Sequence, residues 1–247
     1  IYIRGEQGDY LVDGGSSDVS SAGIYRIEPY LLVNAVDTLD YVFATHGDED
    51  HINGLRELLE NQDLGVRIRN LVLPSEEYLD EKLLELAETA RENGTRTAVM
   101  RAGDKITEKD GQTELKCLGP VEGTKLAPGN EASLVLELTY GEFCMLLAGD
   151  VEGQGEESLY KEGELPQCDV LKAAHHGSRN STATEFLDAV QPAVTLISAG
   201  VDNRYGHPHE ETLDRLKKSG CSVYSTQENG TLTVWTDGKT MRLKRFI

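Results

Sequence analysis

The chain has 247 residues, 38% of them hydrophobic, and a formal net charge of −19. That is enough apolar material for one large core, and a single α/β domain is expected. No apolar run approaches the roughly 20 residues of a membrane-spanning helix, Ile1-Tyr2-Ile3-Arg4-Gly5 lacks the apolar core of a signal peptide, and so acidic a surface disfavours non-specific nucleic-acid binding.

The sequence begins without methionine and inside a strand-like run, so it reads as a soluble fragment of a longer protein, with an earlier strand outside it. A strand over residues 10–13 ends at Gly14-Gly15, and residues 24–33 carry apolar side chains at helical spacing. A strand over 39–44 leads into a polar cluster. Asn53 is placed to cap a helix over 54–60, a strand over 68–73 follows, and Pro74-Ser75 opens an acidic helix from 76 to about 93 whose charges form a solvated face. Strand pieces come at 97–100, 114–118, 133–139 and 143–147. Helix and strand alternate from 152 to 224, and a hairpin pairs 231–235 with 241–245 across Asp237-Gly238. The result is two successive blocks of strands and helices. Cys117, Cys144, Cys168 and Cys221 include no Cys-x-x-Cys pair and read as core thiols.

The chemistry lies in the histidines. All six fall in three clusters, His46 with His51, His175 with His176, and His207 with His209, each beside or after a strand-like run. In the first, His46, Asp48, Asp50 and His51 lie within six residues on a strand-to-helix turn. Neutral imidazole and carboxylate suit borderline and hard divalent cations, and alternate residues of such a turn can diverge toward two ions. The run Phe143-Cys144-Met145-Leu146-Leu147-Ala148-Gly149-Asp150 delivers one carboxylate at a strand end, able to bridge two metals. His175 and His176 follow another strand. Adjacent strand residues point oppositely, so one of the pair is expected to bind metal and the other to orient it or meet substrate. Lys172, Ser178, Arg179, Arg204 and His209 flank these clusters and are the candidates for substrate contact, the cations among them forming the local basic patch that a polyanion needs.

Together these motifs resemble the metallo-β-lactamase fold superfamily, whose first motif is His-x-His-x-Asp-His. They are most similar to the C-terminal domain of the ComEC competence-protein family, through Val12-Asp13-Gly14-Gly15, Thr45-His46-Gly47-Asp48-Glu49-Asp50-His51-Ile52-Asn53-Gly54, Ser133-Leu134-Val135-Leu136, His175-His176-Gly177-Ser178 and Tyr205-Gly206-His207-Pro208. The resemblance implies a four-layer αββα sandwich with a dinuclear metal site, Zn or Mn, held by His46, Asp48, Asp50, His51, Asp150 and His176. His176 is preferred to His175 because it follows Asp150 by 26 residues, similar to the last ligand of phosphodiester-cleaving relatives. Asp48 stands where the family has a second histidine. Asn130 stands where a third is expected and is at best a weak ligand.

The activity implied is hydrolysis of a phosphodiester, DNA above all and single strands by preference, with two ions activating a water for in-line attack. Asp50 and Asp150 would hold the ions at the reacting water, and His207 and His175 would contact the phosphate or protonate the leaving group. The family resemblance further implies an extracytoplasmic domain of a membrane channel for DNA uptake, partnered by the parent's other domains and not itself inserted in the membrane. Three other readings use the same residues: a hydrolase of small esters, lactones or phosphodiesters; a flavodiiron-type oxidoreductase, suggested by Asp48; and a DNA-binding module with a decayed metal site.

Overall fold

A computed structural model describes residues 1–246. The described residues form two compact units, residues 1–100 with 127–129, and residues 101–126 with 130–246.

In the first unit the strands are β1 (Tyr2–Arg4), β2 (Asp9–Val12), β3 (Thr38–Leu39), β4 (Tyr41–Phe43), β5 (Arg67–Ile68), β6 (Asn70–Pro74) and β7 (Arg96–Met100). The helices are α1 (Glu28–Val33), α2 (Glu49–Glu60) and α3 (Glu81–Glu92), with a π-helical turn at Gly23–Ile27 before α1. The main sheet has the order β1-β2-β4-β6-β7, parallel except for β1 against β2. One side of it packs on the helices: Leu11, Val42, Leu71 and Leu73 join Leu31, Ile52, Leu55, Leu58, Leu59, Leu83 and Leu86 in one buried cluster. That cluster dictates α2, whose apolar positions recur every three or four residues, the spacing of one helix face.

Three expectations are corrected here. The strand over 39–44 is broken at Asp40 into β3, which pairs with β5, and β4, which pairs with β2 and β6. Helix α2 starts five residues earlier than read, with Asp48 at its N-cap position. Asn53 lies inside the helix and is used sideways, accepting from the Ser16 amide at 3.1 Å and donating to the Ser16 carbonyl at 2.7 Å. The acidic helix is also shorter. A single 3-10 turn at Glu76–Tyr78 ends at an extended Leu79, and α3 begins afresh with Asp80 accepting from Leu83 N.

The second unit contains β8 (Lys105–Thr107), β9 (Thr113–Gly119), β10 (Val135–Tyr140), β11 (Phe143–Leu147), β12 (Val170–Lys172), β13 (Val194–Ile197) and β14 (Ser222–Ser225) in the order β14-β13-β12-β11-β10-β9-β8. The ladders from β11 to β14 are parallel and those from β8 to β11 antiparallel. Helices α4 (Gly153–Lys161), α5 (Thr184–Val190) and α6 (Glu210–Ser219) contribute Leu159, Phe186, Leu187, Val190 and Leu216 to a second buried cluster with Leu146, Leu171 and Ile197. A short helix α7 (Thr226–Asn229) precedes the hairpin of β15 (Thr231–Thr236) and β16 (Met241–Phe246), as read from the sequence. Two of the four cysteines are not thiols: Cys144 and Cys168 form a disulfide, while Cys117 and Cys221 are free. The bond is possible because β11 and β12 are parallel neighbours, which brings positions 24 apart in sequence side by side.

Candidate functional site

In the first unit β2 and β4 are parallel neighbours with Val12 opposite Phe43, so the residues just past their ends meet. Asp13 accepts the Thr45 amide at 2.8 Å and the Thr45 hydroxyl at 2.9 Å, and its Oδ2 lies 2.8 Å from His51 Nδ1. The loop after β2 reaches the first turn of α2 only because of glycine. A Cβ on Gly15 would sit 2.6 Å from the Asp50 carbonyl carbon, and one on Gly54 would sit 2.1 Å from the Gly14 carbonyl oxygen.

This network fixes two imidazole tautomers. A carboxylate only accepts, so Thr45 spends its one hydroxyl proton on Asp13, and His46 Nδ1, 3.0 Å from the Thr45 oxygen, must be the N–H donor. His51 likewise donates its Nδ1–H to Asp13. Each ring then presents Nε2 as a lone pair, and the two rings lie 4.2 Å apart. His46 is 1% exposed, and its Nε2 is buried without a hydrogen-bond partner, 3.7 Å from Asp48 Oδ2. Asp48 occupies the N-cap backbone position yet makes no side-chain cap bond. Burial works to raise Asp13, but His51, His46 and the Thr45 amide prevail and hold it below its ordinary value. Asp50 is half-buried in the first turn of α2.

In the second unit the parallel strands β11, β12 and β13 end together, Leu147 beside Lys172 and Lys172 beside Leu196. Asp150, the histidine pair and Ser198 therefore share one sheet edge. Asp150 is 3% exposed. His175 and His176 are not on a strand: both adopt left-handed backbone, with φ of 47° and 53°, and Gly177 continues it at 83°. Strand alternation therefore does not separate them. Nε2 of His176 lies 3.4 Å, and Nε2 of His175 3.9 Å, from the same Asp150 Oδ2. Nδ1 of His176 donates to the Ser198 carbonyl at 2.7 Å, and Nδ1 of His175 lies 2.9 Å from Glu152 Oε2. The Asn130 amide donates to Glu152 at 3.3 Å. Consecutive left-handed non-glycine residues cost of order 1–3 kcal/mol each, and such strain gathers at functional sites.

The ring of His207 packs among His175, His176, Tyr205 and His209, at centroid distances of 5.3, 6.2, 5.7 and 4.7 Å. Its backbone is held by Asn203 and Gln227. Burial, aided by the neighbouring histidines, pushes its pKa down to about 4. A neutral ring can donate a hydrogen bond to a phosphate oxygen, one of the two roles expected of His207. His209 accepts the Arg179 amide on Nδ1 at 3.1 Å, which leaves Nε2–H as its donor.

The flanking residues differ from expectation. Lys172 is buried, with its ammonium on the Ala173 carbonyl, and Ser178 is buried with its hydroxyl receiving the Asn180 amide. Arg179 pairs with Glu211 at 3.0 Å, and Arg204 lies over the Tyr205 ring at 4.7 Å. Arg179 and His209 line an open cleft with Gly206, Glu210, Glu211 and Asp214, which is acidic on balance. Of the cations expected to form a basic patch, Lys172 is buried and Arg179 is paired with an acid. Asp13, Glu152, Asn203 and Gln227 were given no role from sequence. Among them only Asp13 carried a signal, as part of a family motif.

These donors fit a divalent metal. Imidazole nitrogens backed through Nδ1 by carboxylate, hydroxyl or carbonyl, an orphaned buried Nε2 and adjacent carboxylates are what such ions require.

The chain belongs to the metallo-β-lactamase superfamily, which it matches over residues 1–201, and its fold is that of this superfamily. Its relatives include a competence protein and a recombination protein. It is 37% identical to ComE operon protein 3 of Bacillus subtilis (strain 168) over 86% of this chain and 26% of that protein. To competence protein ComA of Neisseria gonorrhoeae it is 29% identical, over 94% of this chain and 30% of that one. The chain thus spans less than a third of the length of either relative. Among solved structures it is similar to Zn(2+)-bound PqqB from Methylobacterium extorquens, with a TM-score of 0.48 and 11% identity over 91% of this chain and 84% of that one. Among the described residues no helix is long and apolar enough to cross a membrane.

Proposed function

We propose that this chain is a metal-dependent phosphodiesterase that cleaves DNA, single strands by preference, as one domain of a larger membrane protein and on its extracytoplasmic side. The observation that supports the reading is the uniform anchoring of Nδ1 in His46, His51 and His176, by Thr45, Asp13 and Ser198, which leaves each Nε2 in the tautomer that can ligate a metal. Competence-protein relatives support DNA as substrate. The Cys144–Cys168 disulfide is in keeping with an oxidising compartment.

His46, Asp48, Asp50 and His51 in the first unit, and Asp150 and His176 in the second, are the proposed ligands for divalent ions, Zn or Mn. Such ions, when bound, lower the pKa of water and offset charge developing on a phosphodiester. Asp13 and Thr45 hold two imidazoles in the ligating tautomer, and the Ser198 carbonyl does so for a third. His175, its Nδ1 held by Glu152, presents Nε2 as an acceptor beside Asp150 and is placed to meet a protonated group of the substrate or the attacking water. Neutral His207 donates a hydrogen bond to a phosphate oxygen, and His209 offers Nε2–H to the same strand.

The acids of the cleft beside Arg179 and His209 favour one second reading, a hydrolase of small phosphodiesters or esters with no nucleic-acid groove. The test is cleavage of end-labelled single- and double-stranded DNA, and of bis-p-nitrophenyl phosphate, by metal-stripped protein resupplied with Mn²⁺, Zn²⁺ or Mg²⁺, beside Asp50→Ala. DNA cleavage that needs both metal and Asp50 supports the proposal. Turnover of the small diester alone transfers the assignment to the second reading, and silence on both substrates sinks the hydrolase.

A further inference from the structure

A chain of charge −19 that handles a polyanion needs a positive surface, and of the cations flanking the histidine clusters Lys172 is buried and Arg179 is paired with an acid. The C-terminal hairpin offers one. Residues 239–245 hold Lys239, Arg242, Lys244 and Arg245. The register of β15 on β16 pairs Thr231 with Phe246, Thr233 with Lys244 and Trp235 with Arg242. Because side chains alternate across a strand, these six residues share one face. None of them is acidic, and Trp235, Arg242, Lys244 and Phe246 are all exposed, Trp235 at 50% and Phe246 at 47%. The opposite face carries Leu232, Val234, Met241 and Leu243, all half-buried, so the direction in which the cationic face points is fixed by packing.

The two aromatic rings of this face are joined through a cation. Lys244 Nζ lies 4.2 Å from the Phe246 ring centroid and 5.9 Å from that of Trp235. Arg245, leaving the other face, lies over Tyr224 at 5.9 Å. Exposed rings interleaved with cations on a short flat sheet match the chemistry of single-stranded nucleic acid, in which each base offers a π-face and each phosphate a negative charge.

We propose that the outer face of the β15–β16 hairpin binds single-stranded nucleic acid, with bases stacking on Trp235 and Phe246 and phosphates paired to Arg242 and Lys244. The proposal rests on the phosphodiesterase reading and supplies the strand-holding surface that reading lacks. It commits to a nucleic-acid strand rather than a lipid surface because the exposed positions between the rings are cations and threonines, with no further apolar residue to enter a bilayer.

Trp235 is the only tryptophan, so its emission reports on this face alone. The full chain in EDTA is titrated with an oligothymidylate of about 15 nucleotides, and in parallel with a duplex of the same length and with phosphatidylserine vesicles. The expected result is quenching by the single strand. In the double variant Arg242→Glu/Lys244→Glu the affinity should fall about tenfold or more, and the slope of log affinity against log salt should flatten by about 1.4 for two lost phosphate contacts. Metal-dependent hydrolysis of bis-p-nitrophenyl phosphate should be unchanged in that variant. No quenching, equal affinity in the folded double variant, or quenching by vesicles but not by the oligonucleotide would each overturn the proposal. Failure of the phosphodiesterase reading shows separately, as absence of small-diester hydrolysis with every metal while the oligonucleotide still quenches Trp235.

Discussion

Replacing Asp13 by Asn tests the metal reading at a residue that is not itself a proposed ligand. Asp13 accepts three hydrogen bonds, two from Thr45 and one from His51 Nδ1, at 2.8 to 2.9 Å. Asparagine keeps the shape but offers one accepting oxygen and one NH2. If the oxygen stays on Thr45, the NH2 meets His51 Nδ1, which can then only accept, and the ring proton moves to Nε2, the atom needed for the metal. Loss of such a supporting partner typically weakens metal affinity by about 10- to 100-fold, or about 1.4 to 2.8 kcal/mol. One mispaired amide adds about 1–3 kcal/mol of lost stability. Affinity is read by competition with a chromophoric chelator for Zn²⁺ or Mn²⁺, and folding by thermal denaturation of the metal-stripped protein. A folded Asp13→Asn variant that binds metal within about twofold of the parent would refute the tautomer argument.

Glu156 is buried, accepts the Thr182 and Ala183 amides, and has its pKa pushed up by burial to about 7 from an ordinary 4.5. A raised acid binds its proton more tightly folded than unfolded, so this contribution is full below pH 4.5 and is lost as pH rises through about 7, a fall of about 3 kcal/mol. Urea midpoints measured from about pH 5 to 8 should decline, less steeply in Glu156→Gln; equal slopes would count against it. Gly15→Ala drives a Cβ to 2.6 Å from the Asp50 backbone and should cost about 1–3 kcal/mol while weakening metal binding, since the displaced turn bears Asp50 and His51; unchanged denaturation and metal affinity would contradict the close approach. Replacing Cys144 and Cys168 together by serine removes a cross-link spanning 24 residues and should cost about 3 kcal/mol. A dithiothreitol-insensitive melting temperature in the parent would show that the bond is not formed.

The sequence exposed the candidate ligands because each cluster is local: histidines and carboxylates crowd into a few positions after a strand. What supports them is not local. Asp13 reaches His51 across 38 residues and Ser198 reaches His176 across 22, separations that no periodicity records. The start of α2 was misplaced for a related reason: Asn53 has the composition of a cap but is occupied by the Ser16 backbone, a partner visible only once β2 and β4 lie side by side. The disulfide was missed because its cysteines are neighbours only through the parallel pairing of β11 and β12. The apolar run of β11 and the hairpin, with its Asp237-Gly238 turn, were legible because their signals are local.

Had His175 and His176 continued β12, the sheet would have sent one imidazole to each of its faces, and a single residue inserted or deleted would have exchanged them. The left-handed turn through Gly177 frees the pair from that parity, since both rings reach one oxygen of Asp150. The chemistry at this edge therefore depends on a backbone shape as much as on two side chains. Transplanting the two histidines onto an ordinary strand end, without the reversal and the glycine that completes it, would reproduce the letters of the motif and lose its geometry.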